Sequence, residues 1–188
     1  NFFAYWNGGV FFMIILHDFG ISLEEYAKRG KMNNFPIFDK CPNCHCIASG
    51  NLHRHGYYWR YVITDDVVFE IPICRLICLS CKKTFSIIPD LLIPYFQHSL
   101  DLILKRMEQF LQNKKTKGSR QLLAFHWLRY RKNISWIHSF FVYLGEIIGV
   151  SSDIKKEAKK YLKMIRNFGE SSFLRRSWGH LSSYFMSN

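Results

Sequence analysis

Apolar and polar positions alternate in three different ways along the chain, and each way predicts a different kind of element. Residues 10 to 16, Val-Phe-Phe-Met-Ile-Ile-Leu, form a continuous apolar run closed by His17-Asp18, the pattern of a short buried strand. Ser22-Leu23-Glu24-Glu25 follows as a capping box, which predicts a short helix over 23 to 30 ending near Gly30. Asn33-Asn34-Phe35-Pro36 then marks a loop. From Cys41 to Phe85 the signals are those of strands and tight turns. Residues 57 to 63 and 67 to 77 are rich in β-branched and aromatic side chains, and Thr64-Asp65-Asp66 between them is turn material, so a hairpin is expected there.

Beyond Pro89 and Pro94 the period becomes helical. Leu100, Ile103, Leu104, Met107 and Leu111 recur on one face of a helix that Ser99 is placed to cap. A basic turn over 113 to 119 precedes a second helix at about 120 to 131, and a third is expected over 135 to 148, with Ser119 and Ser135 as caps and Gly149 as the stop. Fourth and fifth helices are predicted near 153 to 166 and 172 to 185. The first three, closely connected, fit a helix-turn-helix unit. The expected fold class is therefore α+β: a strand-helix segment over 13 to 40, a small antiparallel ribbon over 41 to 88, and an all-α, helix-turn-helix-like domain over 95 to 188. No internal repeat and no low-complexity segment interrupts this order.

The ribbon carries the strongest chemical signal. Cys41-Pro42-Asn43-Cys44 and Cys78-Leu79-Ser80-Cys81 are two C-x-x-C pairs joined by the expected hairpin. Each pair can put two thiolates on one metal at about 2.3 Å, and two such knuckles complete a tetrahedral zinc site. Cys41, Cys44, Cys78 and Cys81 are accordingly the expected ligands of one structural Zn2+. Four thiolates leave no position for an activated water, so the metal stabilises and does not catalyse. Cys46 and Cys74 read as buried thiols beside the site, and His45, His53 and His55 as surface histidines that could substitute as ligands.

Composition and charge sharpen this picture. Hydrophobic residues make up 48% and charged residues 21% of the 188, a globular profile that excludes a coiled coil or a collagen-like chain. The first 81 residues carry 7 basic and 7 acidic side chains, so the net charge of +12 belongs to the remainder. A polyanionic partner for that half is expected. The stretch from 153 to 166 sets Lys155, Lys156, Lys159, Lys160, Lys163 and Arg166 against an apolar stripe of Ile154, Ala158, Tyr161, Leu162 and Ile165. Lys114, Lys115, Lys117 and Arg120 cluster before the second helix, and Arg129, Arg131 and Lys132 before the third, where helix starts suit phosphate contacts. Within the ribbon Arg54, Arg60 and Arg75 are the candidates, with His55 beside them and Tyr57, Tyr58 and Trp59 in the core or stacking on bases. Contacts by about six to eight of these residues predict a slope of log affinity against log salt of roughly −5 to −7.

No stretch approaches the roughly 18 to 20 apolar residues a membrane span requires, and residues 1 to 22 contain neither Lys nor Arg for a secretory signal. The reading is a cytoplasmic protein with reduced thiols and no membrane partner. Gly8-Gly9-Val10 can be encoded by a purine-rich, ribosome-binding-like stretch ahead of Met13. Residues 1 to 12 accordingly read as translated leader, with the protein starting at Met13.

Cys41-Pro-x-Cys44, then Arg54-His55-Gly56-Tyr57-Tyr58-Trp59-Arg60, then Arg75-x-x-Cys78-x-x-Cys81-x-x-Thr84-Phe85, then Pro89 and Pro94, resembles the zinc-ribbon region at the front of bacterial insertion-sequence transposases. It resembles most a mobile-element-associated family in which that ribbon is followed by helices. The likeness covers about residues 13 to 112 and implies DNA binding. Cys46 departs from the small polar residue usual there, and Ile77 stands where a basic residue often precedes the third ligand. The carboxylates after residue 98 (Asp101, Glu108, Glu146, Asp153, Glu157 and Glu170) form no recognisable triad for a two-metal transposase core, so no enzymatic activity is expected of this chain. The alternative is a zinc-stabilised module that docks on a transposase subunit or on transcription machinery.

Overall fold

The computed structural model describes residues 4–5, 12–116, 118–182 and 185–186. Lys117 and most of the expected leader lie outside the described residues. The elements in chain order are β1 (Ala4–Tyr5), β2 (Phe12–His17), α1 (Leu23–Arg29), β3 (Leu52–Ile63), β4 (Val68–Cys78), β5 (Thr84–Pro89), α2 (Leu100–Leu111), α3 (Arg120–Lys132), α4 (Ile134–Tyr143), α5 (Ile154–Phe168) and α6 (Glu170–Ser177). Apart from α1, the strands therefore precede the helices, and the class is α+β.

One mixed sheet in the order β1-β2-β5-β4-β3 holds the first half together. The expected hairpin is β3 with β4, in register from Leu52 against Cys78 to Ile63 against Val68. The Thr64 hydroxyl accepts from Val67 N at 3.1 Å and closes the turn. A register shift falls between Arg54 and Tyr57, where Gly56 at φ 99° supplies the backbone that a bulge needs. Two features go beyond the expectation of a free-standing antiparallel ribbon. Thr84–Pro89 is a strand, because Phe85, Ile87 and Ile88 are core residues, and it pairs antiparallel with β4. β2 then adds in parallel, Phe12 opposite Thr84 through His17 opposite Pro89. Strand, helix and ribbon thus share one core, in which Met13, Ile14 and Ile15 pack with Tyr26, Ile71, Ile73, Phe85 and Ile87. The β5 ladder stops at Cys74, which leaves the Pro72 carbonyl to accept from the Tyr26 hydroxyl at 2.9 Å and seats α1 on β4.

Three of the four expected serine caps are in place. Ser22, Ser99 and Ser119 accept from the backbone N–H of Glu25, Leu102 and Leu122. Ser135 does not cap. The boundary is Asn133, which is buried, takes the Met186 N–H on Oδ1 at 3.3 Å and donates to Arg129 O at 2.8 Å. α3 and α4 meet at this one residue, a shorter joint than the three- to four-residue turn of a helix-turn-helix. α4 ends at Tyr143 and not near 148, because Gly145 at φ 94° turns the chain first. α6 begins directly after Gly169 and stops at Ser177, before an extended Trp178 and Gly179 at φ 84°, so the expected run to 185 is broken.

Tyr130, Ile137, Phe140, Tyr161, Ile165 and Phe173 build a second core among α2 to α6. Polar ties bind it to the sheet. Ile63 N donates to Gln97 O at 2.7 Å and Ser99 N to Ile63 O at 3.0 Å. Arg175 meets Asp18 at 2.8 Å and Asp90 at 2.9 Å, and Lys105 pairs with Asp65 at the hairpin tip.

Candidate metal centre and basic surfaces

The two cysteine pairs sit in turns that repeat one another. Cys41 N donates to Cys46 O at 2.8 Å, and Cys78 N donates to Lys83 O at 2.9 Å, five residues on in both cases. The residue after each second cysteine, His45 and Lys82, adopts the left-handed conformation at φ 59° and 57°. Asn43 N–H points at Cys41 Sγ at 3.4 Å. Cys41 therefore corresponds to Cys78, Cys44 to Cys81, His45 to Lys82 and Cys46 to Lys83. The second turn ends β4, and Leu79 N is held by Asn51 O at 2.8 Å, which brings the turns face to face.

Across the gap Cys41 Sγ is 3.8 Å from Cys81 Sγ, and Cys44 Sγ is 3.8 Å from Cys78 Sγ. Sulfurs bound tetrahedrally to one zinc at about 2.3 Å stand about 3.8 Å apart in every pair, and these two pairs have that spacing. Cys46 is a fifth thiol here, 3.6 Å from Cys78. The sulfurs of Cys41, Cys44, Cys46 and Cys78 all lie within 4.8 Å of one another, close enough to hold a metal ion, so this group contains Cys46, expected only beside the site, in place of the expected Cys81. The Cys46 backbone N–H holds the Cys44 thiol down at about 6, whereas burial pushes Cys41 up to about 12. Cys74 is buried in the sheet core, outside this group. His45, His53 and His55 are exposed and do not join it; His53 Nε2 lies 3.0 Å from Gly50 O.

Residues 41–123 match the profile of a family described as a Domain of unknown function (DUF6431). The matched stretch runs from the first knuckle through β3 to β5 and α2 into α3, and ends before α5. No curated protein matches the chain, and neither does any solved structure. Among the described residues no helix is long and apolar enough to cross a membrane.

The basic residues singled out by sequence divide into two groups. Arg60 is turned inward, donating to Ile93 O at 2.8 Å and to Phe96 O. Arg129 donates to Met186 O at 2.9 Å and lies 4.9 Å over Phe125. Lys160 binds Glu157 and Gly149 O, both at 2.7 Å, and Arg166 holds Asp101, Glu108 and Glu170. Arg75 is half-buried beside Ile14, Tyr58 and Ser86. These five build the protein. Exposed are Lys155, Lys156, Lys159 and Lys163 on α5, Arg131 and Lys132 at the end of α3, and Lys114, Lys115 and Arg120 around its start. Arg54 is exposed as well, 5.8 Å over the Phe35 ring. The four α5 lysines form no ion pair among the described residues, while Ala158, Tyr161, Leu162 and Ile165 opposite them are buried.

Sequence reasoning passed over Arg106 and His126, and with them Lys105 and His98. Arg106 on α2 and His126 on α3 are buried in the helical half, and nothing in their local pattern marks them, since each falls inside an ordinary amphipathic run.

Proposed function

We propose that the chain is a zinc-stabilised DNA-binding protein related to the transposases of mobile elements and without a catalytic domain of its own. The observation that carries the DNA reading is the α5 face, with four lysines that form no ion pair among the described residues over a stripe anchored in the core. The resemblance of the knuckle region to insertion-sequence transposases adds to it. Zn2+ is held by Cys41, Cys44, Cys78 and Cys81, the set related by the repeat of the two turns, and Cys46 takes the place that Lys83 has in the second turn. Bound there, the ion supplies stability: apparent binding free energies of such sites are about 10 to 16 kcal/mol.

The test is a salt titration of binding to random duplex DNA by the zinc-loaded chain. Removing Lys155, Lys156, Lys159 and Lys163 together, each to Gln, lowers the slope of log affinity against log salt by about 3.6. An unchanged slope, or no binding of the parent chain at low salt, sinks the reading. One observation favours a protein-interaction module as the second reading. Trp59 and Tyr61 are 52% and 54% exposed on β3, an edge strand. On that reading partner capture survives loss of the four lysines and fails when Trp59 and Tyr61 become Ser.

A further inference from the structure

Arg106 is 8% exposed, and among the described residues neither its Nε nor its Nη1 has a hydrogen-bond partner. His126 is 1% exposed, and neither of its ring nitrogens has one among them. Buried polar atoms are nearly always paired, so four orphans on two interacting residues need an explanation. The ring of His98 stands 5.2 Å from that of His126, and the positive charges of Arg106 and His98 both oppose a charge on His126. The neighbouring carboxylates are already engaged: Asp65 by Lys105, and Asp101 and Glu108 by Arg166. The cluster thus has more donors than free acceptors, Asp65 being the carboxylate that also favours the charge on Arg106, and it meets solvent on the Arg106 side. Arg106 lines a cleft of about 160 Å3 with Asp65, Lys105, Gln109 and Lys115. Gly118, at φ +115°, lets the incoming loop lie against the guanidinium; a Cβ there would sit 3.7 Å from Arg106 Cζ. That loop leads straight into α3, whose first N–H groups and dipole favour an anion at this end.

We infer that this junction is a phosphate-binding site, with Arg106 as its buried anchor, His126 and His98 behind it, and Lys105 and Lys115 at its mouth. Arg is suited to the task because its planar fork matches two phosphate oxygens at once. The ligand chemistry is a phosphate group. Its assignment to the backbone of DNA rests on the DNA-binding reading above, but the site does not, since a free phosphorylated molecule offers the same oxygens.

The experiment uses the full zinc-loaded chain and two readouts. Thermal unfolding with inorganic phosphate, against chloride at equal ionic strength, is expected to show a rise in Tm of about 3 to 6 °C at ten times the Kd. Arg106→Gln abolishes that rise. Lys115→Gln, on the exposed loop and neutral to folding, weakens phosphate several-fold and keeps the test decisive if the buried variant does not fold. In the parent chain, the NMR signals of His98 and His126 move as phosphate is added. If duplex DNA moves the same two signals, the ligand is the DNA backbone. If phosphate moves them and DNA binds elsewhere or not at all, the site stands with a free phosphorylated ligand. No rise in Tm and no movement of the two signals overturns the site, even where DNA binds through α5.

Discussion

Replacing His126 by Phe tests what its burial does to stability. Burial, reinforced by the charges of His98 and Arg106, lowers His126 from 6.5 to about 4 in the folded chain. A depressed histidine leaves the unfolded state binding the extra proton, so its contribution is complete above pH 6.5 and is lost as pH falls toward 4. Linkage puts the loss at about 2 kcal/mol between pH 8 and pH 5 and at about 3 kcal/mol by pH 4. Phe fits beside Phe96 and Phe125, whose rings lie 6.1 and 5.8 Å from the imidazole, and it removes two unpartnered nitrogens. Asp90 acts in the opposite sense: burial raises it to about 6, its ion pair with Arg175 being close but poorly aligned for a hydrogen bond, so it gains stability as pH falls below 6. That contribution, and any metal loss in acid, is common to both proteins and cancels in the difference between them. Urea unfolding of parent and His126→Phe in chloride buffer, zinc present and phosphate absent, is expected to show the variant gaining about 2 kcal/mol on the parent from pH 8 to pH 5. Curves that stay parallel within about 0.5 kcal/mol would refute the assignment.

The cysteine repeat makes a sharper prediction about the metal than the distances alone. Cys81→Ser is expected to lower zinc affinity steeply while Cys46→Ser retains one zinc per chain, as read by metal analysis after dialysis; the reverse pattern hands the fourth position to Cys46. Capping separates in the same way: Ser119→Ala should cost about 1 kcal/mol in urea unfolding and Ser135→Ala, inside α4, only a few tenths. Equal losses would contradict the Asn133 boundary.

The legible parts of this fold are those whose cause is local. The Ser22, Ser99 and Ser119 caps, the Thr64 turn and both C-x-x-C turns each act within about five residues, and the sequence pattern placed them correctly; of the expected box at Ser22 only the serine half forms, because the Glu25 carboxylate pairs with Arg29 at 2.8 Å. β5 escaped notice because Thr84–Pro89 is a six-residue strand squeezed between a knuckle and prolines, too short to show a period. Its parallel pairing with β2 joins segments about 70 residues apart, which no window can register. The same division sorts the basic residues. Lysines 155, 156, 159 and 163 were readable because an amphipathic helix displays its solvent face in its own spacing. Arg60 and Arg129 looked equally available, yet each is consumed by carbonyls 33 to 57 residues away, at Ile93 and Met186. A cation's freedom depends on what the fold brings to it, and an apolar stripe beneath it only sets the direction it faces. Arg106 is the converse case: on sequence it is one more charge in α2, and only the lack of a hydrogen-bond partner for its buried Nε and Nη1 among the described residues makes it a candidate ligand group.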